Sequence, residues 1–516
     1  MVLQYTFCSI LIMQGKKVYT EQLFKSIQLS DLVPEDNFYH RLKGILNLQW
    51  VYRETKKYYG SEGQQSIDPV VFFKLILIGY LENLGSDRRI ISHASMRLDM
   101  RFFLGYDIDE SLPWHSTLSR TRQLYGEDLF KGIFKQVLVQ CIDKGMVAGI
   151  RQAMDSAPVK ANASMGSLVE KDILDDADAY ADELSETEED QNKSVSSTRK
   201  KRVDQHNAWK KREQHRKHGT QHKKTNFVSN HTHFSTTDND ARISVKPGKS
   251  RQLNYLAQAS VDTAHHVITQ IQSDYASKKD SQCLPSLLEN TIDNLKEGGL
   301  EIKEVLADAG YSSGEALQAL EDNNIQGYIP NFGQYKNSRD GFVYNKEKDE
   351  YICSKGAHLP FKKLVTTSLG YQMKTYRSSS KDCGKCPLRN QCIGKSNFKK
   401  IDDTVDKHLY DRMHLILQTT RAKKMMKLRS STAEPVLGTL INFLSMRRVN
   451  TRGLKQANKC MLMAAVAYNL KKLMKWTVRK TEADLKSIRR IAGYIDFNYR
   501  LEIHVILPAR IRGSGL

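Results

Sequence analysis

The sequence predicts a mixed αβ fold, preceded by an all-helical segment and interrupted by a small cysteine-rich module. Three observations carry that reading. From Leu253 to Phe332 the apolar pattern runs hairpin, helix, strand, helix, short strand, and a further strand leads into Asp155. That order suits a mixed sheet with helices packed on it. Residues from about 20 to 150 read as helices, and Cys353, Cys383, Cys386 and Cys392 make a CxxC knuckle with a further cysteine close behind and one well upstream.

In the helical segment, "DPVVFFKLILIGYLENL" (Asp68 to Leu84) is a long apolar helix. Asp68 before Pro69 suits an N-cap followed by proline at the first helical position. Next come "SDRRIISHASMRLDMRFFLG" and "LPWHSTLSRTRQLYG", short helices around a turn. Ser116 is placed to cap a helix carrying Ser119, Arg120 and Arg122. Two readings stand: a helix-turn-helix whose second helix meets DNA, or a basic surface on an ordinary helical domain.

The strand "GIRQAMDSAPV" is expected to end at Asp155, because Pro158 opposes a central strand's continuation. Composition then changes abruptly. Residues 170–190 are crowded with acids and residues 199–224 with bases, neither block having an apolar stripe. Both read as a solvated insertion over residues 165–237. The basic block either touches phosphates or pairs with the acidic block. His215, His218 and His222 share a helical face, as metal ligands or as plain surface residues.

Alternation returns in "LNYLAQASVDTAHHVITQIQSDYA", a hairpin around "DTAHH". A helix follows over residues 283–296. The strand 302–308 ends on Asp308, and another helix runs to about Asp322. "EYICSKG" is rich in strand formers. From Leu428 to Trp476 two helices meet at Asn450 to Gly453, with Glu434 and Pro435 opening the first, and the second apolar enough to be core. The tail beyond Trp476 closes on the alternating "GYIDFNYRLEIHVIL", a candidate added strand. The apolar N-terminal "LQYTFCSILIM" lacks an export signal's basic lead and cleavage site, and reads as a buried element.

With 79 Lys+Arg against 58 Asp+Glu, the 516 residues carry a net charge of +21, which points to a polyanion, most commonly nucleic acid. No apolar run approaches the ~20 residues that span a bilayer. Without an export signal the eight cysteines are expected in a reducing, cytoplasmic compartment, where clustered thiols favour metal over disulfide. Cys353, Cys383, Cys386 and Cys392 suit a closed, structural four-thiolate zinc site. Reduced free thiols or a redox CxxC are the alternatives. Cys8, Cys141, Cys283 and Cys460 are isolated and read as core residues.

Asp155 and Asp308 each close a strand of one predicted sheet, where αβ proteins collect their functional residues. Two carboxylates brought together repel unless a positive charge stands between them. Mg²⁺, or Mn²⁺ in its place, supplies that charge through hard oxygen ligands. Two such ions about 3.5–4 Å apart stabilise both oxygens of a phosphodiester displacement. Glu434, amid Arg421, Lys423, Lys424, Lys427, Arg429, Arg447 and Arg448, is the third acid expected. Glu315 is its rival, with a first-turn helix acid as the plain alternative.

Taken together, "DPVVFFKLILIGYLENLGSDRRI", "LPWHSTLSRTRQ", "MDSAPVKANAS", "DNDARISVKPGK", "VLADAGYSSGE" and "AEPVLGTL…TRGL…AYNLKKL" make the chain resemble bacterial insertion-sequence transposases of the DDE type. The resemblance runs from roughly Leu29 to Trp476. It implies an RNase H-like catalytic fold that cleaves DNA at element ends and joins the freed 3′-hydroxyl to a target. Asp155, Asp308 and Glu434 would be the metal-binding triad, and zinc would sit in the cysteine module. Ser119, Arg120 and Arg122 would read the terminal repeat, while Arg242, Arg429, Arg447, Arg448 and Arg452 would contact DNA. The domains implied are 1–145 for DNA binding, 146–345 and 401–476 for catalysis, 346–400 for the cysteine insertion, and 477–516 of unassigned role. A homo-oligomeric synaptic complex at the nucleoid completes the expectation. The alternative is an inactive, transposase-derived DNA-binding protein. Asn239 replaces the proline expected in "DNDAR", and the bases before Glu434 depart from the tyrosine-arginine-glutamate-lysine spacing of better-known relatives.

Overall fold

The computed structural model describes residues 28–476 apart from 61–65, 171–227, 231, 245–249, 333–334, 336 and 368–370. The apolar N-terminal run, Cys8, the two charged blocks, the three insertion histidines and the alternating tail lie outside the described residues.

Helices fill the N-terminal region as far as Asp143. The apolar helix Pro69–Leu81 starts as its sequence dictates, with Asp68 Oδ1 accepting from Val70 N at 2.7 Å and Val71 N at 3.0 Å. Almost every residue along it is buried. Helices Asp87–Met96, Leu98–Leu104 and His115–Leu124 pack beside it. The last of these opens at His115, so Ser116 sits in its first turn and is not its cap.

The strands follow in order: β1 (Arg151–Lys160), β2 (Leu168–Glu170), β3 (His233–Ser235), β4 (Arg242–Ser244), β5 (Gln252–Asp262), β6 (Ile268–Tyr275), β7 (Glu304–Leu306) and β8 (Gln326–Tyr328). In the main sheet β5 pairs antiparallel with β1 on one side and with β6 and β4 on the other. β7 joins β1 in parallel, and β8 joins β7 in parallel. The hairpin, the helix Asp280–Lys296 between β6 and β7, and the helix Gly314–Asp322 between β7 and β8 match the pattern in the sequence.

β1 corrects one expectation. It runs on through Asp155 and Pro158 to Lys160. Ala161 N–H points to Leu253 O on β5, whereas Lys160 N–H points away from β5 to Arg447 O. By alternation the nitrogen of Pro158 also faces away from β5, toward the side that β7 covers only as far as Ala153. Proline therefore forfeits no ladder hydrogen bond there.

A second sheet holds the cysteine segment. Its strands β9 (Phe342–Asn345), β10 (Glu350–Cys353), β11 (His358–Thr366), β12 (Gln372–Arg377) and β13 (Lys400–Thr404) form a sequential antiparallel meander. Of these, the sequence predicts only β10. The core of this sheet is Tyr351, Leu359, Tyr376 and Ile401.

Two long helices close the described chain. One is Thr420–Phe443, capped by Thr419 Oγ1, which accepts from Ala422 N at 3.2 Å. The other covers residues 454–476. Glu434 and Pro435 therefore lie inside a helix rather than at its start. Pro435 and Ser431, whose carbonyl loses its helical donor, are both exposed, so water can satisfy the freed group. The helix 454–476 is core, as its composition predicts. It is buried on every side from Ala457 to Leu470. Asn469 accepts from Ile268 N and donates to Ile268 O, while Lys459 Nζ donates to the carbonyls of Arg122 and Tyr125. It thus ties the sheet to the N-terminal helices.

Candidate active site

Strand register brings the first two acids together. β1 and β7 pair from Arg151↔Glu304 to Ala153↔Leu306. Carried two residues further, that register sets Asp155 beside Asp308, where the strands part. Side chains two apart on a strand share a face, so both acids share the face of Ala153 and Leu306. That face is covered by the helix Thr420–Phe443, whose Ala422 and Ala433 pack against Ala153, Leu306 and Tyr328. Glu434 follows Ala433 directly.

The helix is fastened over the sheet by Glu304 on β7, which accepts from Arg151 Nε at 2.6 Å and from Arg421. Burial opposes the charge on Glu304, but the two arginines outweigh it and hold the carboxyl below its usual range.

Arg429 stands between the first and third acids. Its Nη1 lies 3.2 Å from Asp155 Oδ2 and its Nη2 2.9 Å from Glu434 Oε1. Side-chain exposure is 11% for Arg429, 15% for Asp155 and 57% for Glu434. Burial pushes Asp155 up to about 6; the Ser156 amide and Arg429 pull it down, and Asp308 and Glu434 push it up again. Asp308 accepts from Gly310 N at 2.9 Å. A Cβ on Gly310 would lie 3.0 Å from Asp308 Oδ1 and 3.2 Å from Asp280 Oδ2, so a fourth carboxylate borders the site. Asp280 Oδ1 accepts from Gln258 Nε2 at 2.8 Å, and Tyr311 donates to the same glutamine. The sequence signal for this network is a glutamine near the centre of a strand, Gln258 of β5, which pattern alone does not connect to the acids. Glu315 is an exposed first-turn acid of the helix Gly314–Asp322, as its plain alternative has it.

Hard carboxylate oxygens around a desolvated aspartate are the donors that Mg²⁺ or Mn²⁺ takes. Cys353, Cys383, Cys386 and Cys392 line one cleft, together with His358. Cys353 Sγ there accepts from Ala357 N at 3.3 Å. Among the described residues, no three His, Cys, Asp or Glu side chains are spaced to hold a metal ion as they stand.

The expected DNA contacts divide. Arg120 is exposed and Ser119 half-buried. Arg122 is 4% exposed, its Nη2 bound to Asp87 Oδ1 at 2.7 Å, which makes it a structural residue and corrects its expected role. Arg447, Arg448 and Arg452 are exposed. Arg448 donates to Asn162 Oδ1 at 2.8 Å, and Arg242 lies over the Tyr275 ring. Arg429 faces the acids and not the surface.

Residues 27–124 match a family described as Transposase domain (DUF772). Residues 352–474 match one described as Transposase DDE domain, a segment that contains the four cysteines and Glu434. Asp155 and Asp308 lie outside both segments, and no curated protein matches the chain. No helix among the described residues is long and apolar enough to cross a membrane. A transposase domain at each end of the described residues supports an insertion-sequence transposase of the DDE type.

Proposed function

We propose that this transposase cleaves DNA at the terminal inverted repeats of its element and transfers the freed 3′ ends to a target, using Asp155, Asp308 and Glu434. The observation that supports this most is the β1–β7 register, which aligns two acids beneath the helix bearing the third. The strand order β6-β5-β1-β7-β8, in which β5 alone runs against the rest, favours an RNase H-like core.

The three carboxylates would hold two Mg²⁺ ions, or Mn²⁺ in their place, which stabilise the attacking and leaving oxygens when bound. The chain's own part is placement. β1 and β7 fix the two aspartates, and the packing of Ala433 fixes Glu434. Lys423, Lys424 and Lys427 are exposed along the same helix and would hold the phosphate backbone. Ser119 and Arg120 would meet the repeat through the N-terminal helices in helix-turn-helix fashion, with Arg447, Arg448 and Arg452 on DNA near the end of β1. Acting on two element ends calls for a homo-oligomer. Residues 1–145 would serve DNA binding, and 146–345 with 401–476 catalysis. The module 346–400 would take a structural Zn²⁺ on Cys353, Cys383, Cys386 and Cys392.

DNA carrying the element's own ends tests this reading. The full chain should cut and join it only with Mg²⁺ or Mn²⁺ present. Losing an outer partner of a metal ligand costs about 10–100-fold, so Asp308→Asn should cost at least that. Cutting by Asp308→Asn at the parent's rate would refute the assignment, and DNA binding without cleavage by the parent would mark an inactive derivative.

A further inference from the structure

Arg429 sits where the proposed site needs positive charge. Its two Nη atoms reach the first and third acids at 3.2 and 2.9 Å, and Ser430 Oγ is its other partner, at 3.4 Å. Its Nε is buried with no hydrogen-bond partner. Arg101 offers a contrast, since its guanidinium is spent on the carbonyls of Ser95, Asp107 and Glu110. The grip on Arg429 comes from the carboxylates themselves, and one guanidinium charge is set against three acids. Those acids therefore remain short of positive charge.

We infer that Arg429 is an internal countercharge that keeps Asp155 and Glu434 together in the metal-free protein and gives up at least one of them when a divalent cation binds. The inference rests on the reading of these acids as metal ligands. It makes Arg429 a positioning residue that competes with the metal. The carboxylate oxygens that take its N–H donors are the ones a cation would need, and they cannot serve both fully. Free of DNA, the protein would then bind the ion weakly.

The test is a Mn²⁺ titration of the full chain without DNA, following the spin-resonance signal of the free ion. Arg429→Gln should bind Mn²⁺ at least about tenfold more tightly than the parent, the size set by one charge-assisted hydrogen bond that no longer competes. Arg429→Lys, whose single ammonium does not span both carboxylates as a fork does, should fall between them. That variant carries the comparison should Arg429→Gln fail to fold. The unfolding temperature of Arg429→Gln should also rise more on adding Mn²⁺ than the parent's. Equal or weaker Mn²⁺ binding by both variants, with Asp155→Asn still abolishing it, would overturn the role of Arg429 alone. Mn²⁺ binding indifferent to Asp155→Asn would overturn the metal reading beneath it.

Discussion

Asp155 is desolvated by burial and raised to about 6, even though Arg429 lies 3.2 Å from it. An acid raised on folding binds its proton more tightly in the native state. Stability is then fullest below the unfolded value of 3.8 and falls as pH rises toward about 6, beyond which both states are ionised. A rise of that size costs about 3 kcal/mol by linkage. Asp155→Asn should therefore stabilise the metal-free protein at pH 7 and leave it unchanged near pH 4, as denaturant unfolding in chelator would show. A parent and variant that differ equally at both pH values would contradict this. Such a gain, with activity lost, is the usual mark of a functional carboxylate. Asp155 and Asp308 are singled out in the sequence because each closes an apolar run, and Glu434 because it is an acid surrounded by bases. Arg429 is not, since it reads as one more of the surrounding bases. Once the helix is known to start at Thr420, Arg429 falls on its buried stripe with Ala422, Thr432, Ala433 and Val436.

Among the elements, the hairpin, the helices flanking β7 and the apolar helix Pro69–Leu81 follow from periodicity and caps alone. The β1–β7 pairing does not, because register depends on which strands become neighbours. Pro158 and Pro435 both read as boundaries in the sequence, and neither is one. Pro158 lies where its missing N–H faces no ladder partner, and Pro435 lies on the solvent side of a helix, where water can satisfy the Ser431 carbonyl it leaves free. The cysteine sheet is nearly invisible in the sequence, as strands such as β9 and β11 bury almost nothing and show no regular alternation. Its proposed zinc is checked by metal analysis of the purified chain. One zinc per chain is expected, and replacing Cys383 and Cys386 by serine should release it. A chain that retains its zinc after that change, or carries none when freshly purified, would refute the site.

Over the whole molecule, the helix 454–476 carries the architecture. Its buried face meets β6 through Asn458 and Asn469, and its Lys459 meets the N-terminal helices. One continuous core therefore joins those helices to the sheet, and the acids are held by elements far apart in sequence. Net charge announces the polyanion; only the folded chain sets the acids against one another. The account stands on Asp155, Asp308 and Glu434 converging on the divalent cations they would hold. Crystals of the full chain grown with Mn²⁺ test that directly, by anomalous scattering. A peak between Asp155 and Asp308, with Glu434 turned toward it and Arg429 displaced, is the predicted result. A map with no peak there, and Arg429 still joining Asp155 to Glu434, would contradict it.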